Sequence, residues 1–262
     1  MRNEEARLRG VFAERKRRGF VRECHGDLHA RNVALRASEP VAFDALEFDE
    51  DLRTTDVTSD VAFLVMDLDE RGRADLGRRF LDGWLARTGG YAGLAVLRHG
   101  VVYRALVRAM VDRIRSEQEP GARDTAARYL SIAKRWSERS FPRWLAITHG
   151  FSGSGKTTAS TRVVETTDAI RVRSDVERKR HFGLAPEARS GSAPGGGIYA
   201  PEATVATFAR LAAKRPSNSS APASSPAATA TRAKPPRRPR PPTRHRRPPA
   251  LRRTEIGSDP IS

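Results

Sequence analysis

Cysteine is nearly absent from this sequence: Cys24 is the one thiol in 262 residues. A lone cysteine excludes an internal disulfide and any metal site built on a cysteine cluster, so Cys24 is expected to act as a small buried hydrophobe. Long apolar runs are missing too. None approaches the about 18 residues of a membrane span, and the N-terminus, Met1-Arg-Asn-Glu-Glu-Ala-Arg, is charged from its start with no apolar stretch of a secretory signal. The expectation is a cytoplasmic chain with no membrane partner. Acidic charge is scarce as well: 31 Asp and Glu stand against 48 Lys and Arg, a net of +17. The imbalance is uneven. Twelve of the cations but only Glu255 and Asp259 lie after residue 213, which gives that stretch +10 and leaves +7 for all the rest.

The same stretch lacks the means to build a core. Apart from Asn218, residues 216–231 are Ser, Ala, Pro and Thr, residues 232–253 are largely Pro and Arg, and eleven of the 17 prolines follow Lys214. Too few apolar side chains remain to offset the entropy of ordering, which predicts a disordered basic tail over residues 214–262. Its charge would attract RNA, DNA or acidic surfaces by neutralising phosphates. Without aromatic side chains to stack on bases, it would read no sequence. Such a composition is also what a GC-rich coding sequence yields out of frame. A further expectation is therefore that the coding sequence near Ala213, shifted by one base, continues as an ordered domain.

Against these absences stands one motif in its full context. Residues 147–158 read Ile-Thr-His-Gly-Phe-Ser-Gly-Ser-Gly-Lys-Thr-Thr, in which Gly150, Gly155, Lys156 and Thr157 satisfy G-x-x-x-x-G-K-[ST]. The apolar run at residues 144–148 suits a buried parallel strand, and a helix is expected from about Gly155. Glycines let the backbone turn tightly enough for successive N–H groups to face phosphate oxygens, and the helix adds its positive end. Lys156 would reach the β- and γ-phosphates, and Thr157 would offer its hydroxyl to Mg²⁺. Ser152, Gly153, Ser154 and Thr158 are small enough to leave the anion room. ATP binding with Mg²⁺ follows as the strongest inference.

Residues 3–18 carry Leu8, Val11 and Phe12 among charges and read as a surface helix, with the cluster at Arg15–Arg18 as a solvated face. Next comes Glu23-Cys-His-Gly-Asp-Leu-His-Ala-Arg-Asn, followed by the apolar strand Val41-Ala-Phe-Asp-Ala-Leu. Asp27 and Asn32 are five apart, as in the kinase loop H-R-D-x-x-x-x-N, and Asp44 follows on the second strand. A loop turning between two short strands can offer a carboxylate to a substrate hydroxyl and, five residues on, an amide to a cation. Two histidines and two aspartates so close also invite a metal-hydrolase reading, but no second His-rich cluster completes it. His25 reads as a brace for the loop, His29 as substrate-side or structural, and Asp56 and Asp60 as loop braces or helix caps.

From Asp56 to about Arg139 the periodicity is helical throughout. Val61, Leu64, Val65 and Leu68 form one face; Leu94, Leu97, Val101, Val102, Ala105, Leu106, Ala109 and Ile114 form another; Tyr129, Leu130, Ala133 and Trp136 form a third. Gly89-Gly90 and Pro120-Gly121 punctuate them. After a short linker at residues 140–143 and the glycine-rich loop, residues 169–175 read as a strand ending in Asp175, followed by a basic helix. Asp175 serves either as a substrate-side carboxylate, taking a hydroxyl proton, or as the cap of that helix. Residues 189–201 read as a flexible loop and Pro201–Lys214 as a helix with proline in its first turn.

The His-Gly-Asp-x-His-x-x-Asn stretch resembles the aminoglycoside phosphotransferase and choline kinase branch of the kinase-like fold. By that resemblance Asp27 is the catalytic base and Asn32 and Asp44 are the Mg²⁺ ligands. The Arg-Ser-Asp-x-x-Arg element at Asp175 resembles that of small P-loop kinases of the gluconate kinase, polynucleotide kinase and zeta-toxin type, where it faces the acceptor. Together the halves resemble bacterial fusions of a phosphotransferase-like domain with an AAA-type P-loop kinase domain. The expected fold class is an α+β, mostly helical kinase-like C-lobe (residues 1–139), then a partial α/β P-loop NTPase domain (144–213), then the disordered tail (214–262). About twenty residues precede Cys24, too few for a nucleotide-holding small lobe, and no Walker-B strand or arginine-bearing lid follows the first half of the P-loop domain. The function so implied is ATP-dependent phosphotransfer to a small-molecule hydroxyl, whether of a sugar, an aminoglycoside or a nucleic-acid end. The alternatives are a non-enzymatic, nucleic-acid-associated protein acting through its tail and an inactive truncated or frameshifted product.

Overall fold

The computed structural model describes residues 2–119, 121–140, 144–151, 153–193 and 195–213, so the expected tail lies outside the described residues. The chain starts with helix α1 (Arg2–Arg17) and strand β1 (Val21–Glu23). Strands β2 (Val33–Arg36) and β3 (Glu39–Ala42) then pair as an antiparallel hairpin, Val33 opposite Ala42. Its two-residue turn places Ala37 and Ser38 at φ 50° and 69°, the left-handed geometry that the right-handed twist of a tight hairpin demands. A single helical turn, α2 (Glu50–Arg53), capped by Asp49, leads into strand β4 (Thr54–Asp56), which returns to pair antiparallel with β1, Val21 opposite Asp56.

Four helices follow: α3 (Val57–Glu70), α4 (Ala74–Thr88), α5 (Leu94–Arg115) and α6 (Ala122–Glu138). Glycines divide them as the sequence predicts. Gly89, at φ 72°, closes α4 by donating its N–H to the Leu85 carbonyl at 2.9 Å, and Gly121 stands at the start of α6. The core is one cluster of their inward faces, with Val61, Val65 and Met66 from α3, Leu81 and Leu85 from α4, Val101 and Ala105 from α5, and Tyr129, Ile132, Ala133 and Trp136 from α6. Two residues assigned inward from the sequence face solvent instead: Ile114 is 65% and Leu130 52% exposed. Ile114 sits in the last turn of α5. Leu130 is rotated about 100° from Tyr129 around α6, off the buried stripe of Ala126, Tyr129, Ala133 and Trp136.

Helix α1 forms over the expected span, with Leu8 buried, but Arg15 is not on a solvated face. It is 4% exposed, and its guanidinium makes a two-pronged pair with Asp56, Nε to Oδ2 at 2.6 Å and Nη2 to Oδ1 at 2.8 Å. Nη2 also donates to Thr58 Oγ1 at 2.9 Å. This fork fastens α1 to the junction of β4 and α3.

The second half contributes α7 (Lys156–Thr166), α8 (Ser174–His181), a 3-10 turn at Gly197–Tyr199 and α9 (Pro201–Ala213), the last with proline at its first helical position as expected. Helix α7 and the residues after it lie against α4: Arg78 donates to the Glu165 carbonyl at 3.0 Å and to Asp168 at 3.1 Å, and Arg180 of α8 reaches the Ala86 carbonyl. The two strands expected at residues 144–148 and 169–175 do not form, and the last two residues of the second belong to α8. Both segments lack strand pairing, and Leu145 and Ile147 are 79% and 84% exposed. A parallel strand is stable only when its backbone groups are paired and both faces are covered. Among the described residues nothing pairs with either segment.

Candidate functional site

Two carboxylates two turns apart on α3 hold the His-Gly-Asp loop by its backbone. Asp60 accepts the N–H of His25 at 2.7 Å and that of Gly26 at 3.1 Å, while Asp67 accepts the N–H of Ala30 at 2.9 Å. Both side chains are buried. Burial raises the Asp60 pKa against the loop N–H groups and the Arg104 charge, which lower it. Asp67 is tied further by Arg71 at 2.9 Å and the Tyr129 hydroxyl at 3.3 Å. Asp56 caps α3 through the Thr58 N–H at 2.8 Å. The brace and cap roles read from the sequence for Asp56 and Asp60 are thus both present, whereas Asp67 lay hidden inside a helical pattern.

Inside that frame, Asp27 is surrounded by donors. His29 Nε2 lies 3.3 Å from Asp27 Oδ2, and Asn32 Nδ2 lies 3.2 Å from the same oxygen and 3.1 Å from the Asp27 carbonyl. The His29 hydrogen bond foremost, against burial and with help from the Arg108 charge and Asn32, holds Asp27 below the usual carboxylate range. It is an ionised, oriented acceptor, with its side chain 34% exposed. His25 braces the loop from the other side: its Nε2 lies 2.8 Å from the Phe43 carbonyl. Phe43 N–H donates to Asn32 and Leu46 N–H to His25, at 3.0 Å each, so the segment carrying Asp44 is laced to the loop on both sides. Asp44 lies two residues beyond β3 rather than on it, is exposed, and has φ 61°. That left-handed geometry is uncommon outside glycine, though Asp tolerates it better than most, and it recurs at functional sites.

The amide nitrogen of Asn32 is turned to Asp27. Among the described residues no three His, Cys, Asp or Glu side chains converge as a metal site. Cys24 is half-buried beside this loop. Its Sγ lies 3.4 Å from the Thr55 carbonyl, and burial foremost, then the Asp60 charge, push the thiol up to about 11. The thiol is thus held protonated, on a side chain only half-buried where a buried one was expected.

The glycine-rich loop has the backbone its sequence demands. Gly150, Gly153 and Gly155 have φ of 146°, 75° and 80°, and Gly155 caps α7 from the left-handed region. At Gly150 the positive φ is strained for any residue with a Cβ, which would also stand 2.9 Å from Ser154 Oγ. Lys156 arches over the loop it belongs to, its Nζ on the Gly150 carbonyl at 2.7 Å and on that of Phe151. Thr157 and Thr158 stand exposed in the first turn of α7, and Ser152 lies outside the described residues. The loop therefore leads into the N-terminus of α7 with a lysine across it and two exposed threonines in the first helical turn.

Sequence reasoning missed Arg171. Its guanidinium ties Thr161 Oγ1 at 2.8 Å, Ser160 Oγ at 3.1 Å and the Thr157 carbonyl at 3.4 Å to Asp82 of α4, so it steadies the helix that the loop feeds. Asp175 is not a cap. Arg173 holds the cap position and Asp175 lies in the first turn of α8. There Tyr199 donates to Oδ1 at 2.9 Å and Lys179 pairs with Oδ2 at 3.0 Å. Burial raises its pKa, but these two donors and the Lys179 and Arg178 charges outweigh it and leave Asp175 below its ordinary value.

Residues 145–232 match the family model described as "AAA domain", of which residues 214–232 lie outside the described residues. This half of the chain is thereby supported as P-loop and kinase-like, a domain type that binds nucleotides. Among curated proteins the chain is similar to uncharacterized proteins of Mycobacterium bovis and of two strains of Mycobacterium tuberculosis. Each is 39% identical over 171 residues, 65% of this chain and 34% of the relative. The chain spans about a third of the length of the curated relatives it matches. No solved structure matches it. Among the described residues no helix is long and apolar enough to cross a membrane.

Proposed function

We propose that this chain binds Mg·ATP on the loop from Gly150 to Thr158 and descends from phosphotransferases that move the γ-phosphoryl group to the hydroxyl of a small molecule. The observation that carries the reading is the loop itself. Three glycines in left-handed or extended-positive geometry deliver an open α7 N-terminus with Lys156 across it. Backbone N–H groups at such a terminus stabilise phosphate oxygens, Lys156 exchanges its two carbonyl partners for the β- and γ-phosphates, and Thr157 is the residue that would take Mg²⁺.

The N-terminal half is read as the helical lobe of a kinase-like fold. In it, Asp27 orients and deprotonates an acceptor hydroxyl, and Asn32 and Asp44 are the residues that would take Mg²⁺ at that loop. Asp27 is ionised and held by His29 and Asn32, which suits an orienting carboxylate better than a strong base. In the P-loop half Asp175 is the substrate-side carboxylate, and it must leave Tyr199 or Lys179 to accept a proton.

The competing reading places the activity in the basic tail. Fluorescent mant-ATP titrated into the full chain separates the two. Saturable, Mg²⁺-dependent binding that persists under excess heparin supports the loop. Binding that heparin displaces would put the nucleotide on the tail and overturn the reading.

A further inference from the structure

A concavity of about 440 Å³ opens between Arg31 and the corner joining α5 to α6, in the size range of small-molecule sites. Three guanidiniums line it, those of Arg31, Arg108 and Arg115, with Asp112, Glu119 and Thr125 completing the wall. The arginines outnumber the carboxylates. Their carboxylate pairing is partial: Arg108 and Arg115 each approach Asp112 Oδ1 only to 3.9 Å, beyond hydrogen-bond reach, although Arg115 Nη2 is held by both Glu119 oxygens at 2.9 and 3.0 Å and Arg108 lies 5.7 Å from the centre of the Tyr129 ring. Asp112 is 3% exposed, and its other oxygen has no hydrogen-bond partner among the described residues. A sealed carboxylate so weakly paired keeps two guanidiniums nearby without saturating their N–H groups. Planar N–H forks of this kind match carboxylate and phosphate oxygens.

Two of the arginines tie the concavity to the loop: the Arg108 charge acts on Asp27, and Arg31 belongs to the loop itself. Arg31 lies between His29 and Asn32, the two residues bound to Asp27.

We propose that this groove binds a small polyhydroxylated anion, its carboxylate or phosphate seated on Arg31, Arg108 and Arg115 and a hydroxyl of the same molecule directed to Asp27. The assignment rests on the reading of the Asp27 loop as facing an acceptor, and it selects negatively charged acceptors over neutral or cationic ones.

Calorimetric titration of the full chain with D-gluconate, D-glucose 6-phosphate and neutral D-sorbitol tests it, with inorganic phosphate as a control. At least one sugar anion is expected to bind at least tenfold tighter than sorbitol and than inorganic phosphate, and which one binds tells carboxylate from phosphate. Arg108→Met and the exposed Arg31→Met should each weaken that binding at least tenfold, with unchanged circular dichroism. Lys156→Ala should leave it intact, so a failure here is distinct from a failure of the nucleotide site. Equal binding of sorbitol, equal binding of inorganic phosphate, no binding of either sugar anion, or indifference to Arg31→Met would each overturn the proposal.

Discussion

Replacing Asp56 by alanine should cost more stability than any surface change, and the reason is Arg15. With the carboxylate gone, a guanidinium whose side chain is 5% exposed stays buried without its counter-charge, a loss of about 3–5 kcal/mol. The same oxygen that meets Arg15 Nη2 also accepts the Thr58 N–H, so the α3 cap goes too, for about 1 kcal/mol more. Against a usual total of about 5–15 kcal/mol this is severe.

Urea unfolding followed by far-ultraviolet circular dichroism measures it, with Arg15→Met and the double variant completing a cycle. The double variant should be more stable than the summed single losses imply by at least about 2 kcal/mol, because no charge is then stranded. Additivity within about 0.5 kcal/mol would refute the buried pair.

Acid supplies a second check. Burial raises the Asp56 pKa, but Arg15 and the Thr58 N–H lower it further, so it lies below its ordinary value. Its contribution is therefore complete above the unfolded carboxylate range, about 3.9, and disappears as pH falls through the lower folded value. The gap between wild type and Asp56→Asn should close in that window and hold constant from pH 5 to 7.

Two further outcomes bear on the site. Gly26→Ala should destabilise the His-Gly-Asp loop by about 1–3 kcal/mol, since φ is +81° and the new Cβ would stand 2.9 Å from Leu46 Cδ1 and 3.3 Å from Arg53 Cα. Urea unfolding reads it, and a loss below about 0.5 kcal/mol would mean the loop is not held in that geometry. Tyr199→Phe removes one of the two donors on Asp175, so the Asp175 pKa should rise. Carbon-detected NMR titration checks this, and an unchanged value would deny the hydrogen bond.

Periodicity carried the helical half well because each helix buries a regular stripe, and the stripe alone sets helix type and inward face. It failed where partners are distant in sequence. Arg15 follows Leu8, Val11 and Phe12 at helical spacing and so belongs to their stripe, but its charge suggested solvent. Only Asp56, 41 residues away, makes its burial affordable. Asp67 was similarly hidden, since an acidic residue amid Val65, Met66 and Leu68 looks like surface until the Ala30 N–H is found beside it.

At the candidate site, motif spacing located Asp27, Asn32 and the glycine-rich loop. It could not supply Arg171 or Tyr199, whose roles depend on tertiary approach to Asp82 and Asp175. The runs at residues 144–148 and 169–173 have strand composition, yet composition cannot provide the neighbouring strands that a parallel sheet requires.

The account turns on where the nucleotide sits. Calorimetric titration of Mg·ATP into wild type, Lys156→Ala and Asp27→Ala tests that most directly, because Lys156 crosses the loop while Asp27 belongs to the other half of the chain. The account predicts at least a tenfold loss of affinity in Lys156→Ala and little change in Asp27→Ala. Equal losses in both, or a loss confined to Asp27→Ala, would contradict it.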